Sequence, residues 1–137
     1  MDGRSFDPFA AVLEFHRRFG VLVGAQPALP DESVVVLRRR LIDEELAELD
    51  QAIADRDVVQ VADALADLLY VVYGTAISFG LDIRPVFEEV HRANMAKVGG
   101  GTRDDGKVLK PDGWQPPSIG RLLENMRLRP NGPDGQS

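Results

Sequence analysis

The chain has 137 residues, 44% of them apolar and 28% charged, a composition that fits one globular domain. Its formal charge of −6 and isoelectric point near 4.9 argue against the basic face that binding a nucleic-acid polymer requires. It contains no cysteine, which excludes disulfides, thiolate metal sites and a cysteine nucleophile.

The hydrophobic period is helical throughout, and no strand alternation persists. "DPFAAVLEFHRRFG" opens with Asp7 as N-cap and Pro8 at the first helical position, and stops at Gly20. "VLVGAQPALP" is a loop broken by glycine and two prolines. "DESVVVLRRRLIDEELAELDQAIADR" is a long second helix, and "DVVQVADALADLLYVVYGTAISFG" a third ending at Gly80. "DIRPVFEEVHRANMAKVGGG" is a fourth, with Asp82 as N-cap and a glycine run as its stop. "TRDDGKVLKPDGWQPPS" is irregular, "IGRLLENMRL" forms a short last helix, and residues 129–137 read as a frayed tail. The expectation is one all-α domain over residues 1–128, a bundle of four to five helices. No apolar run looks like a signal peptide or is long and charge-free enough to span a membrane. A soluble cytoplasmic protein with no membrane partner is therefore expected.

At ~100° per residue, the apolar arc of the second helix holds Val34, Val35, Leu37, Leu41, Ile42, Leu46, Leu49, Ala52 and Ile53. Glu48 and Glu45 fall inside that arc and Glu44 at its edge, whereas Arg39, Asp43 and Asp50 face away. The third helix is apolar nearly all round, which predicts a central helix buried on several sides. Its polar residues share one stripe of Gln60, Asp63, Asp67 and Ser78, with Gly74 among them. Asp63 and Asp67, one turn apart, repel each other unless a cation intervenes. On the fourth helix Asn94 lies between Phe87 and Val90 of the apolar face, with Lys97 at its border.

Three glutamates and two aspartates thus converge inside a bundle. Oxygen-only ligands suit a hard dication, Mg²⁺ or Mn²⁺, which also binds substrate phosphates. Lys97 supplies charge for a phosphate, and Asn94 a hydrogen bond for a sugar or base. The implied chemistry is metal-assisted attack of water on a phosphoanhydride. A structural alternative stands beside it: inward acids can pair with Arg or Lys of a neighbouring helix. His16, on the apolar face of the first helix, reads as a core histidine or, with Phe15, as the lining of a base pocket. "GGGTRDDGKVLK", with Lys107 and Lys110, does not match a P-loop; it is a flexible loop or a segment that closes on phosphates. "EEVH" holds one Glu88-x-x-His91, but a di-iron bundle needs two, both facing inward.

"DEELAE", then "ADALADLLYVVYG", then "EVHRANMAK" resembles the MazG-like all-α nucleoside triphosphate pyrophosphohydrolases. That superfamily includes dimeric dUTPases and phosphoribosyl-ATP pyrophosphohydrolases. The likeness is to the dUTPase branch and runs from about Glu14 to Ile119. It implies a homodimer or homotetramer and Mg²⁺-dependent cleavage of a nucleoside triphosphate, dUTP first, to the monophosphate and pyrophosphate. In the family pattern Glu-x-x-Glu, spacer, Glu-x-x-Asp, Glu45 and Glu48 match the first pair and Asp67 the last acid, which implies metal ligands. Glu44 matches an extra glutamate that helps hold metal or activates water. Asn94 and Lys97 match residues that meet sugar and phosphate. The third acid is missing: position 64 is Ala64, and Asp63 next door is the expected replacement. Two other readings follow, cleavage of phosphoribosyl-ATP or of a damaged nucleotide, and a bundle that binds nucleotide or metal without catalysis.

Overall fold

The computed structural model describes residues 5–128. The expected tail, 129–137, lies outside the described residues. The fold is all-α: α1 Pro8–Phe19, α2 Glu32–Ala54, α3 Val58–Ser78, α4 Ile83–Met95 and a single turn, α5 Gly120–Leu123. Among the described residues the only β pairing is an isolated bridge between Thr102 and Val108.

Helix borders follow local chemistry. Asp7 accepts a hydrogen bond from the Ala10 amide at 3.1 Å, Pro8 occupies the first turn, and Gly20 closes α1 in the left-handed conformation at φ 69°. Asp57 accepts from the amides of Val59 and Gln60 and starts α3 only three residues after α2 ends. So short a turn makes α2 and α3 an antiparallel hairpin.

The contacts form two compact units. One comprises residues 5–82 with 126–128, the other residues 83–125. In the first, α2 and α1 both pack on α3. Phe9, Val12 and Leu13 of α1 are buried, as are Ala64, Ala76 and Ile77 of α3. The Phe9 and Tyr73 rings meet edge-on at 6.3 Å, and Phe15 and Tyr70 at 5.6 Å. The loop after α1 is pinned to the end of α3: Gly24 N donates to the Ile77 carbonyl and Ala28 N to that of Phe79. A Cβ on Gly24 would stand 2.6 Å from Gly80 N, so this approach requires glycine.

The second unit contains α4, the segment that follows it, and α5. Val86 and Ala93 are the buried residues of α4. Phe87 is 70% exposed and Asn94 is exposed too, so the covered face is rotated away from the one expected through Phe87 and Asn94. Trp114 covers the Ala93 side, donating from Nε1 to the Ala93 carbonyl at 2.7 Å.

Two expectations for α3 are corrected. It is not buried on several sides: Val58 and Val59 are 76% and 75% exposed, and Leu65, Leu69 and Val72 are exposed. The second correction concerns membrane length. At 21 residues and mean hydropathy 1.3, α3 is long and apolar enough to cross a membrane by length and composition. Asp63 and Asp67 dilute its hydropathy without bringing it below that limit.

Candidate metal centre

Glu45 and Glu48 stand one turn apart on α2, and the hairpin brings Asp67 of α3 beside them. Each offers one carboxylate oxygen, and the three oxygens lie within 4.8 Å of one another. Glu45 is half-buried, and its Oε2 is buried with no hydrogen-bond partner. Burial pushes the Glu45 carboxyl up, and Glu48, by hydrogen bonding and charge, then Asp67 and Glu44 add to the rise. Burial, then the charges of Asp63 and Glu48, push Asp67 up in the same direction. Neither shift involves a neutralising base. Among the described residues, none of the three acids takes part in an ion pair with Lys, Arg or His.

An orphaned buried carboxylate oxygen and crowded negative charge are what a bound dication relieves. The donor set, all carboxylate oxygen, fits a hard ion.

The remaining expected residues fall as follows. Asp63 is exposed and outside the trio; its charge acts on Asp67. With Glu48, Gln51, Ala52 and Gln60 it lines a cleft of about 180 Å³ whose wall includes Ala64, only 4% exposed. Glu44 is exposed, and its charge reaches Glu45. His16 is buried, its Nδ1 3.0 Å from the Leu22 carbonyl. Burial lowers its pKa, the Leu22 contact opposes this, and Arg38 lowers it further. Ser78 Oγ donates to the same Leu22 carbonyl, so the upper part of the α3 polar stripe serves the α1 junction.

Asn94, Lys97, Lys107 and Lys110 belong to the other unit. Lys97 and Lys110 gather around Trp114, with ammonium-to-centroid distances of 5.4 and 5.0 Å. Asn94 is exposed, as is Lys107, whose backbone amide donates to Asp105. Glu88 and His91 are exposed on α4.

Three polar residues escape a wheel reading. Arg38 is buried, donating to the Val71 carbonyl at 2.9 Å and to Thr75 Oγ1 at 3.3 Å. It sits seven residues before Glu45, which puts both on the α3-facing side of α2; that spacing is the signal that was available. Glu89 grips Arg92 and accepts from the Ser118 amide at 2.7 Å. Trp114 carries no local signal at all.

A family match places this all-α chain in the MazG-like nucleoside triphosphate pyrophosphohydrolase superfamily. Within it, the family described as phosphoribosyl-ATP pyrophosphohydrolase matches residues 12–94, and the chain belongs to that family. No curated protein matches the chain. Membership supports pyrophosphohydrolase-type activity on a nucleotide.

Proposed function

We propose that the protein hydrolyses a nucleoside triphosphate to the monophosphate and pyrophosphate, with dUTP or another pyrimidine deoxynucleotide as first substrate and Mg²⁺ as its metal. The observation that carries the reading is the trio Glu45, Glu48 and Asp67, whose oxygens converge with no ion pair to a base among the described residues. These three would hold the ion, with Asp63 one helical turn away as a fourth acid. A dication bound there neutralises charge on the phosphoanhydride oxygens. Glu44, exposed on α2 next to Glu45, would take the proton of the attacking water. The water oxygen bonds to phosphorus, the bond between the α- and β-phosphates breaks, and pyrophosphate leaves. Lys97 and Asn94 would meet phosphate and sugar, by the family likeness. The uncovered apolar residues of α3 support a second copy as their cover, giving a homodimer or homotetramer.

The family match favours one further substrate, phosphoribosyl-ATP. The test is incubation with Mg²⁺ and a panel containing dUTP, dTTP, dCTP, ATP and phosphoribosyl-ATP, with identification of the released product. Fastest release of pyrophosphate from dUTP supports the first substrate, and from phosphoribosyl-ATP the second. Binding without turnover would leave a non-catalytic bundle.

A further inference from the structure

Arg38 reaches across from α2 and fastens one turn of α3. Its Nη2 donates to the Val71 carbonyl at 2.9 Å and its Nε to Thr75 Oγ1 at 3.3 Å. The Thr75 hydroxyl donates to the same Val71 carbonyl at 2.7 Å, which closes a triangle. The guanidinium fills the space that a side chain at position 74 would need, because a Cβ on Gly74 would overlap Arg38 Nη2. Arg38 is only 6% exposed, and among the described residues no carboxylate pairs with it. Holding a charge out of water without a counter-ion costs stability, and an apolar side chain would pack here at less cost. What the guanidinium adds is direction: a rigid fork engages one rotation and one height of the facing helix.

The two helices run antiparallel, and the offset is the same on both. Arg38 stands seven residues before Glu45, and Gly74 seven after Asp67. The fork and the acid trio thus share one seam, about 10 Å apart along it. The trio does not set its own spacing, because its oxygens, within 4.8 Å of one another, repel until a cation enters. Glu45 Oε2 has no hydrogen-bond partner to hold it. A slip of α2 by one residue would move each of its carboxylates about 1.5 Å along the seam and turn it ~100°. We propose that Arg38 is a positioning residue whose fork on Val71 and Thr75 fixes α2 against α3, so that Glu45, Glu48 and Asp67 converge before metal binds. This rests on the metal-centre reading of the trio, and not on the identity of the nucleotide.

The test is calorimetric titration of the protein with Mn²⁺ alone, at a temperature where circular dichroism shows each variant fully folded. Arg38→Met should bind Mn²⁺ about tenfold more weakly than the wild type. Arg38→Lys, which keeps the charge and loses the fork, should fall about as far. Thr75→Val, which keeps the shape and removes one leg of the triangle from the other helix, should lose about threefold. Ile77→Val is the control: it trims a fully buried side chain of the same helix. Its melting temperature should fall, while its Mn²⁺ affinity stays within about twofold of wild type. Arg38 and Thr75 variants that melt lower yet bind Mn²⁺ as tightly as Ile77→Val overturn the proposal, since Arg38 then acts on stability alone. Wild-type affinity in Arg38→Lys overturns it too, because charge and not the fork would then be what counts. If Arg38→Met does not fold, the Arg38→Lys and Thr75→Val titrations decide. No Mn²⁺ binding by the wild type removes the metal centre and this role with it. Mn²⁺ binding that depends on Arg38, without turnover of any nucleotide, leaves the role standing and removes only the hydrolase reading.

Discussion

Glu45 of α2 and Asp67 of α3 bring carboxylate oxygens within 4.8 Å of each other, and both carboxyls are pushed up by burial and by neighbouring acids. Two helices that pack through such a pair are strained by their own charge until a cation arrives. Glu45→Gln should therefore raise the melting temperature of the metal-free protein, by roughly 3 °C. The same variant should lose most of the upward shift that Mg²⁺ gives the wild type. Thermal melts with and without Mg²⁺ measure both, and a metal-induced shift undiminished in Glu45→Gln would remove this residue from the ligands.

The family pattern has an acid where this chain has Ala64, and Asp63 stands next to that position. Asp63 lies outside the trio yet lines the cleft beside Glu48, and Ala64 is packed into its wall. Asp67→Asn should reduce nucleotide hydrolysis by more than about 100-fold, and Asp63→Asn by about tenfold. Steady-state rates across a Mg²⁺ series check this, with the Asp63 defect partly recovered at high Mg²⁺. Ala64→Glu tests the replacement from the other side. It should relieve the Asp63→Asn defect, because its carboxylate can reach into the cleft.

Gly74 leaves the room that Arg38 and His16 occupy. A Cβ there would overlap the Arg38 guanidinium and stand 2.9 Å from His16 Nε2. Gly74→Ala should destabilise the protein by about 2 kcal/mol, measured by urea denaturation, because both neighbours are held by their own hydrogen bonds. Combined with Arg38→Ala, the cost should be less than the sum of the single changes, as expected for residues competing for one space.

Glu89 ties α4 to the segment before α5. The Arg92 hydrogen bonds, then the Ser118 amide, hold its carboxyl at about 2, below the ordinary 4.5. Since the folded value is depressed, the contact is fully stabilising above the ordinary carboxylate range and is lost as pH falls toward 2. The Ser118 amide resonance should therefore titrate with a midpoint near 2. In Glu89→Gln that titration should disappear. A midpoint at the ordinary value would mean that the contact contributes little.

What the sequence discloses is what is local or periodic. Asp7, Pro8 and Gly20 bracket α1 because capping is settled within a few residues. The helical wheel turns five acids inward, and three of them, Glu45, Glu48 and Asp67, come together. Glu48 is nonetheless exposed, as are Glu44 and Asp63, because burial depends on what covers the helices and not on their own period. Arg38 is hidden within "RRR", which reads as surface although its middle partners face solvent and its first member does not. The covered face of α4 is set by Trp114, many residues downstream, and the helix's own pattern contains nothing of it. The burial expected for α3 fails because, among the described residues, the packing of α1 and α2 leaves Val58, Val59, Leu65, Leu69 and Val72 exposed.

The central claim is that the acid trio holds the metal of a pyrophosphate-releasing reaction. Its most direct test is product release from dUTP by wild type and Glu48→Gln, with Mg²⁺ present and with it chelated. The account predicts pyrophosphate from the wild type only with Mg²⁺, and a loss of more than about 100-fold in Glu48→Gln. Release of orthophosphate, or near wild-type activity in Glu48→Gln, would contradict it.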